Sequence, residues 1–428
     1  MRQRICIIIS KNLAEFEYLI PAIEKSNFDV DLILFDYSTK NFIKKKSIIR
    51  KYLKRNKIKI FDIQFFLSHK SFLLKYISRK INSQSISVRS LINTFLKNLS
   101  FFIFLLILKN SINFFLKNLF HFIFLKKKLI KIHKKYDFVF LGHRDFLNNF
   151  FLDIFKKYFL KKDNKFILVP HGAHYEKKFR KNLTTPEELV LKENYLNLSA
   201  NNFEKPWLNN KLKKSRCINM GYPPFNYKDN EENKVLSKND KKNILVISRK
   251  FDFKKTISKV DGFTTNIDSF KIFMDKLKTV NFNEFDVYLK PHPTSDIWIL
   301  KRYLYINNLS KIKIIFDPLI FYINSFDLIY SYHSTALLSG IINKIPVIYY
   351  QDPLIKKNFI WAKQYMNFYN MAYMSLNSKG KTEEFFKTKK IRFDNNILSL
   401  NRKRISRHFK RIENKKFFTT LNKKFKEL

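Results

Sequence analysis

The sequence predicts an α/β protein built from two doubly wound parallel sheets, each in its own domain. Residues 1–225 and residues 243–353 alternate short apolar runs with helix-length segments, which is the pattern of repeated strand–helix–strand units. Between them, residues 226–242 are polar and charged, and apolar residues do not recur there at a regular spacing, which is typical of a linker. We also expect a helical insertion at 66–130 in the first domain and a basic helical tail at 354–428.

The strands of both domains are predicted from compact runs of β-branched and aromatic residues. In the first domain the runs are RICIII at 4–9, VDLILFD at 30–36, residues 58–63, YDFVFLG at 136–142, KFILVPHG at 165–172 and CINMGYPP at 217–224, with a helix at 13–25. In the second they are NILVISR at 243–249 and residues 285–289, 312–316, 328–330 and 347–350, and beyond 354 we expect only helix. No glycine-rich fingerprint follows the first strand, which argues against a dinucleotide site there.

The composition indicates a folded protein with an anionic partner. Hydrophobic residues make up 45% of the 428 residues and aromatic residues 17%, which is enough for packed cores. The formal net charge is +48. An A/T-rich genome explains part of that excess, but Glu is scarce although its codons are A/T-rich, so an anionic partner is expected. Cys6 and Cys217 lie on strand-like runs, and we expect buried thiols in a reducing compartment.

The predicted insertion contains the most apolar segment of the chain. Leu99–Leu108 has ten residues, too few to span a bilayer, and FFLKNLFHFIFLKKK follows at 114–128. One interpretation is a buried pair of helices. The other is a helix seated in the membrane interface, because Phe and Lys together suit an anionic lipid surface.

Polar side chains follow two strands of the second domain where each strand ends. Lys290, His292, Thr294 and Ser295 follow one strand, and His333, Ser334 and Thr335 follow a neighbouring strand. The carboxyl ends of parallel strands share one edge of a sheet, so the two clusters predict one site. Ser334 or Thr335 would cap the next helix and leave its N–H groups for an anion. Prolines on both sides of His292 fix its direction, and an imidazole beside a lysine suits a phosphate leaving group.

The positions of the glycines also point to the candidate site residues. The chain has only 6 glycines, and four stand at ends of strands or helices beside candidate site residues: Gly142, Gly172, Gly221 and Gly340. In a chain this poor in glycine, these positions predict a positive φ or a close approach of the backbone. Ordinary turns are the alternative.

Four motifs together resemble one group of enzymes. VPHGA at 169–173, GYPPF at 221–225, LKPHPTSD at 289–296 and SYHSTALLSGIINKIPVIYY at 331–350 resemble the GT-B glycosyltransferases of bacterial surface polysaccharide synthesis. Within that group the chain is similar to the CDP-glycerol glycerophosphotransferase, polysialyltransferase and capsular Kdo-transferase families. The resemblance covers about residues 136–350 and implies two Rossmann-like domains.

The resemblance also implies roles for individual residues. The donor's nucleotide phosphate would be bound by Lys290, His292, Pro293, Ser334 and Thr335, and His171 would lie across the cleft near the acceptor. We add His333 and Arg249 to the donor site because both stand at strand ends of the second domain. Relatives often carry an acidic residue after the Ser/Thr cluster, where this chain has Leu337, Leu338 and Ser339. That departure leaves the donor's sugar or glycerol unassigned.

An inverting transfer needs a base that takes the proton of the acceptor hydroxyl. Asp145, His171 and Glu176 are candidates at strand ends of the first domain, with His143, Arg144 and Gly172 beside them. Asp145 could instead begin a helix. We favour His171 because its ordinary pKa is already near neutral.

The sequence implies no metal and no cofactor. The pair Asp29 and Asp31 lies on a predicted strand entering the core rather than on a loop, which is unlike a Mg²⁺ site. Two cysteines and dispersed histidines give no zinc spacing. Cationic side chains and a helix terminus would then carry the charge of the leaving group.

The expected function is a metal-independent inverting glycosyltransferase or glycerophosphotransferase. It would transfer from a CMP- or CDP-linked donor to a cell-envelope polysaccharide or lipid-linked glycan. We expect it in the cytoplasm, peripheral on the inner face of the bacterial membrane, because Arg2 and Arg4 precede only a five-residue apolar run, too short for a signal peptide. The alternatives are a sugar-nucleotide epimerase of the same shape and a basic protein that binds nucleic acid or another anionic polymer. No nucleic-acid motif is present, so nucleic acid is not expected.

Overall fold

The structure is a computed structural model of the 428-residue chain. It describes residues 3–9, 13–34, 47–62, 136–142, 165–170, 195–200, 217–226, 236, 240–249, 251–252, 265–292, 295, 297–332, 334, 336–350, 372–376, 386–387, 392–407, 409 and 413–427. The predicted insertion at 66–130 lies outside these residues.

The first sheet has seven parallel strands. They are β1 (Arg4–Ile9), β2 (Asp29–Leu34), β3 (Lys59–Asp62), β4 (Phe138–Gly142), β5 (Lys165–Val169), β6 (Tyr195–Ser199) and β7 (Cys217–Asn219), in the order β3-β2-β1-β4-β5-β6-β7. Helix α1 (Ala14–Glu24) follows β1, and α2 (Ser47–Arg55) precedes β3. All the predicted strands of this domain form, and β6 is an addition that the sequence pattern did not predict.

The second sheet has six parallel strands. They are β8 (Lys242–Ile247), β11 (Phe285–Lys290), β12 (Lys313–Ile314), β13 (Leu328–Ser331), β14 (Val347–Tyr350) and β15 (Met374–Leu376), in the order β12-β11-β8-β13-β14-β15. A separate pair is formed by β9 (Phe251–Asp252) and β10 (Thr265–Asn266). The helices are α3 (Ile267–Asp275), α4 (Ile297–Ile306), α5 (Leu337–Ile342), α6 (Asn395–Ser406) and α7 (Phe417–Lys426). The expectation of helix alone beyond residue 354 was wrong at β15, a three-residue strand on the edge of the sheet.

Strand β1 lies inside the first sheet, between β2 and β4. Its residues 5–9 are fully buried, as expected for an isoleucine-rich strand covered on both faces. Asp31 on β2 is also buried, and its carboxylate accepts a 2.6 Å hydrogen bond from the Tyr136 hydroxyl. Asp31 therefore lies on a strand as predicted, in a structural role. Cys6 is buried as expected, whereas Cys217 is only half-buried, so the expectation of a buried thiol was wrong at Cys217.

The C-terminal helix α7 returns to the first sheet. Phe417, Phe418 and Leu421 are buried, and the Phe418 ring lies 4.3 Å from that of Phe28 and 6.1 Å from that of Phe140, between centroids. The predicted basic helical tail thus packs one face of α7 on the first sheet, while the exposed Lys423 and Lys426 lie on the other face.

Buried residues of both sheets form one continuous core. This core joins β1, α1 and α2 of the first sheet to Leu245, Ile329 and Tyr349 of the second. A ring contact of 5.3 Å between centroids, from Tyr52 on α2 to Phe321 after β12, is part of the junction. A second core covers the opposite face of the second sheet under α3 and α4. Among the described helices, none is long and apolar enough to cross a membrane.

Candidate functional site

The site is built where three central strands of the second sheet end. Strand β8 lies between β11 and β13, so the two polar clusters flank it instead of being on adjacent strands as predicted. Two backbone hydrogen bonds join β8 to its neighbours at the ends of the strands. Ser248 N donates to Lys290 O of β11 at 3.1 Å, and Tyr332 N, just after β13, donates to Ile247 O of β8 at 2.9 Å. Lys290 and Ser334, described residues of the two clusters, lie at the ends of strands that share one edge, as predicted, while Thr294, His333 and Thr335 lie outside the described residues. About 10 Å separates β11 from β13, since neighbouring strands lie about 4.8 Å apart.

The middle strand ends in a buried serine and a buried arginine. Ser248 is 3% exposed and Arg249 is 8% exposed. The Ser248 hydroxyl has no hydrogen-bond partner among the described residues. A buried hydroxyl without a partner costs free energy, so this position would gain from an acceptor such as a phosphate oxygen. Arg249 adds a cation at the same strand end.

The first flanking strand ends in Lys290, which is held by backbone carbonyls. Its ammonium donates to Phe316 O at 2.7 Å and to Asp317 O, both just after β12. Burial lowers the pKa of Lys290 to about 8, and the carboxylates of Glu17 and Asp317 oppose that shift. Lys290 is therefore a partly desolvated cation that still carries its charge near neutral pH.

A tight turn follows Lys290. His292 is half-buried and its carbonyl accepts a 2.9 Å hydrogen bond from Ser295 N. Ser295 is 9% exposed, and its hydroxyl is buried without a partner among the described residues. Ser295 therefore adds a second unpartnered hydroxyl five residues after the end of β11, with its backbone bonded to that of His292.

The third strand end leads into α5 through Ser334. The Ser334 hydroxyl accepts a 3.2 Å hydrogen bond from Ala336 N, and its carbonyl accepts one of 3.3 Å from Leu337 N. The helix itself is capped at Ala336, without a side-chain bond. Of the two predicted caps, Ser334 instead closes the turn just before the helix, and Thr335 lies outside the described residues.

The described residues bring together four of the predicted site residues: Lys290, His292, Ser334 and Arg249. The others lie outside them, namely Pro293, His333 and Thr335 of the donor site, and His143, Arg144, Asp145, His171, Gly172 and Glu176 of the first domain. The catalytic assignments of the first domain therefore stay predictions.

Three contributors were missed by sequence reasoning: Ser248, Asp317 and Glu17. Ser248 stands beside Arg249 in the NILVISR run, so its strand-end position was a usable signal. Asp317 is 7% exposed and accepts a hydrogen bond from the Tyr322 hydroxyl. Glu17 lies on α1 of the first sheet, and its carboxylate accepts a 3.2 Å hydrogen bond from Ile320 N. Nothing local marks Glu17, because its partner is 303 residues away.

The GYPPF motif connects α1 to the end of the first sheet. Gly221 has φ 67°, which confirms the predicted positive φ, and its carbonyl accepts a 3.1 Å hydrogen bond from the Tyr18 hydroxyl. The ring of Tyr222 packs on Tyr18 and on Phe225, with centroids 5.7 Å and 4.8 Å away. The motif therefore anchors the helix that carries Glu17.

Comparison with solved structures shows a shared fold. The wall teichoic acid polymerase TagF, in a structure with CDPG, is 13% identical, with a TM-score of 0.53 and an alignment covering 99% of this chain and 89% of that one. The UDP-GlcNAc 2-epimerase of Methanocaldococcus jannaschii, in complex with UDP-GlcNAc and UDP, is 14% identical over 98% and 99% of the two chains, with a TM-score of 0.47. MurG of Acinetobacter baumannii is 9% identical, with a TM-score of 0.40, over 98% of this chain and 99% of its own. No protein-family model and no curated protein matches the sequence.

The protein has the GT-B fold. The similarity to TagF spans nearly the whole chain, and the two parallel sheets are the arrangement that the sequence predicts. At 13% identity this similarity extends to the fold alone.

Proposed function

We propose that the protein is a metal-independent inverting GT-B glycosyltransferase or glycerophosphotransferase. Its donor would be CMP- or CDP-linked and its acceptor a growing cell-envelope polysaccharide or lipid-linked glycan. The observation that carries the proposal is the edge formed by β8, β11 and β13, where Arg249, Lys290 and His292 stand with the unpartnered hydroxyls of Ser248 and Ser295. Cations and hydroxyl donors at one edge suit a nucleotide phosphate. The TagF structure with CDPG supports the choice of cytidine.

In the proposed reaction the second domain stabilises the leaving nucleotide. Negative charge grows on the donor phosphate as its bond breaks, and Arg249 and Lys290 lower the energy of that charge. His292 donates a hydrogen bond to the same phosphate. A base from the first domain, His171, Asp145 or Glu176, takes the proton of the acceptor hydroxyl. The cationic side chains do the work that a metal does in other nucleotide-sugar enzymes.

We further propose that the enzyme works peripherally at the inner face of the cytoplasmic membrane. The net charge of +48 favours an anionic lipid surface. Helix α4 adds a specific support, because Trp298, Tyr305 and Ile306 are exposed there beside the exposed Lys301 and Arg302. Aromatic and basic side chains together are typical of the membrane interface.

The deciding test is a thermal-shift screen with CMP, CDP, UDP, UMP and GDP in the absence of metal. A ligand at 100 times its Kd stabilises the folded protein by about 2.7 kcal/mol, which is easily detected. We expect stabilisation by CMP or CDP. The effect should be lost in His292→Ala and in Lys290→Ala but kept in Lys311→Ala, whose exposed lysine precedes β12 at the opposite edge of the sheet.

Three results would contradict the proposal. Stabilisation that persists in both site variants would mean that the nucleotide binds elsewhere. No response to any nucleotide, together with tight and salt-dependent binding of RNA, would favour an anionic-polymer binding protein. Turnover of a nucleotide donor without any acceptor would instead identify an epimerase.

A further inference from the structure

Glu17 of the first domain contacts a turn of the second. Its carboxylate accepts a hydrogen bond of 3.2 Å from the backbone N–H group of Ile320, next to Leu319. These residues begin the short 3-10 turn Leu319–Phe321, which follows β12. A side chain on α1 therefore fixes the backbone of a segment that belongs to the other sheet.

The same segment holds Lys290. The carbonyls of Phe316 and Asp317, just before the turn, accept the hydrogen bonds of the Lys290 ammonium. A lysine ammonium has three N–H donors, so one donor remains for a phosphate oxygen after these two bonds. Glu17 and Lys290 are thus attached to the two ends of one short stretch of backbone.

The charges of this cluster act on one another. Burial raises the pKa of Glu17, while the positive charge of Lys290 and the backbone N–H groups at the start of the 3-10 turn lower it. Two negative groups raise the pKa of Lys290 against the effect of burial, namely Glu17 from α1 and Asp317 from the segment after β12. The carboxylate of Asp317 also accepts from the Tyr322 hydroxyl, whose own pKa is raised by burial and by Asp317. Without Glu17, desolvation of Lys290 would be opposed by Asp317 alone.

We propose that Glu17 is a positioning residue of the donor-phosphate site, which holds the Lys290 ammonium and the 316–320 segment in place from the other domain. The inference rests on the proposed function, since Lys290 is assigned there to the donor phosphate. Glu17 acts through Lys290 and does not itself touch the donor. The negative charge of Glu17 favours the protonated form of Lys290. The hydrogen bond of Glu17 to Ile320 N holds the segment whose carbonyls, those of Phe316 and Asp317, orient the Lys290 ammonium.

The test is the affinity for CDP, measured by calorimetry between pH 7 and 10, where most of the diphosphate is fully ionised. In the native protein the affinity should be nearly constant close to pH 7, drop to about half at pH 8 and then fall further, as Lys290 loses its proton. In Glu17→Gln the fall should begin about one pH unit lower, because a neighbouring opposite charge shifts a pKa by about one unit or more. The variant would then bind CDP about twofold more weakly at pH 7 and about tenfold more weakly at pH 9.

Two further variants keep the result unambiguous. Glu24→Gln removes another half-buried carboxylate of α1, one that pairs with Arg55 at 3.3 Å, and its profile should match that of the native protein. Glu17→Asp keeps the charge, so its affinity should begin to fall at the native pH even if binding is weaker throughout. A Glu17→Gln profile that matches the native one, or that lies below it by the same factor at every pH, would overturn the proposal.

A measurement without ligand separates this inference from the proposed function. The folded pKa of Lys290, about 8, lies below its ordinary 10.5, so the unfolded chain holds the proton more tightly between these values. The free energy of unfolding should therefore rise with pH across that window relative to Lys290→Met, and the rise should begin lower in Glu17→Gln. If neither the native protein nor any variant binds CDP, the proposed function fails. The comparison of unfolding free energies still decides the role of Glu17. An identical rise in the native protein and in Glu17→Gln would refute it.

Discussion

At the scale of single residues, Gly340 on α5 is required by packing. A Cβ atom at this position would lie 2.2 Å from the Ile329 Cδ1 and 3.2 Å from the Val347 Cγ2. The close approach that the sequence predicts at Gly340 is therefore confirmed, although φ there is not positive. Helix α5 lies directly on β14 and on β13, one of the three strands whose ends form the proposed donor-phosphate site.

We expect Gly340→Ala to lower the free energy of unfolding by about 1–3 kcal/mol, because the added methyl overpacks the core. Urea unfolding measures the effect. Ser339→Ala is the matched control, since its side chain is half-buried on the same helix and alanine favours helix formation. Adding Ile329→Val removes the clashing Cδ1 atom, so the double variant should recover part of the loss. Unchanged stability in Gly340→Ala would contradict the packing argument.

The residues of the candidate site divide according to the range of their contacts. Lys290, His292 and Ser334 could be predicted because each follows its strand within a few residues of the sequence. Glu17 could not, since its meaning depends on a hydrogen bond to Ile320 across the two domains. A sequence pattern records local periodicity, whereas this contact exists only after both sheets have packed.

At the scale of elements, α4 has one buried face and one exposed face that is both aromatic and basic. Leu300, Tyr303 and Leu304 are buried against the second sheet. Trp298 and Tyr305 are 67% and 77% exposed, and the Arg302 guanidinium lies 5.6 Å from the Trp298 ring centroid. The exposed positions 298, 301, 302 and 305 follow helical spacing and form a single stripe.

We expect this stripe to contribute to membrane binding. The double variant Trp298→Ser, Tyr305→Ser should bind phosphatidylglycerol vesicles several-fold more weakly than the native protein in a sedimentation assay, because both rings favour the interface. Each basic side chain near an anionic surface adds about 1 kcal/mol, so binding should also fall with added salt and be weak on phosphatidylcholine. The control is Ile397→Ser, Leu400→Ser, which removes two exposed apolar side chains from α6 instead. Equal loss in both double variants would mean that exposed apolar area alone, and not α4, determines binding.

The elements that escaped prediction are short or have a misleading composition. Strand β15 has three residues, too few to give a period, and β6 reads YLNLS with an asparagine buried at its centre. In α7 lysines are no more frequent than phenylalanines, and Phe417, Phe418, Leu421 and Phe425 recur at helical spacing. That spacing was the available signal that the tail packs against the protein.

At the scale of the whole molecule, the class of fold could be predicted but the order of its strands could not. Alternating strands and helices imply parallel sheets, since parallel strands need crossover connections. The central place of β8, between the two polar clusters, follows from which crossovers run in each direction, and no local pattern records that. The sequence also separates two domains, whereas the apolar core joins them through α1, α2 and the residues after β12.

The shared core predicts that the protein unfolds as one cooperative unit. Phe418→Ala removes a ring that packs on Phe28, Phe138 and Phe140 of the first sheet, and it should cost about 3–5 kcal/mol. Phe273→Ala acts in the separate core of the second sheet, where its ring stacks on Tyr330 at 4.5 Å. Calorimetry should show a single transition whose midpoint falls in both variants, while Lys423→Ala, exposed on α7, leaves it unchanged. If each variant lowered a different transition, the two domains would unfold independently, and the shared core would not make them one cooperative unit.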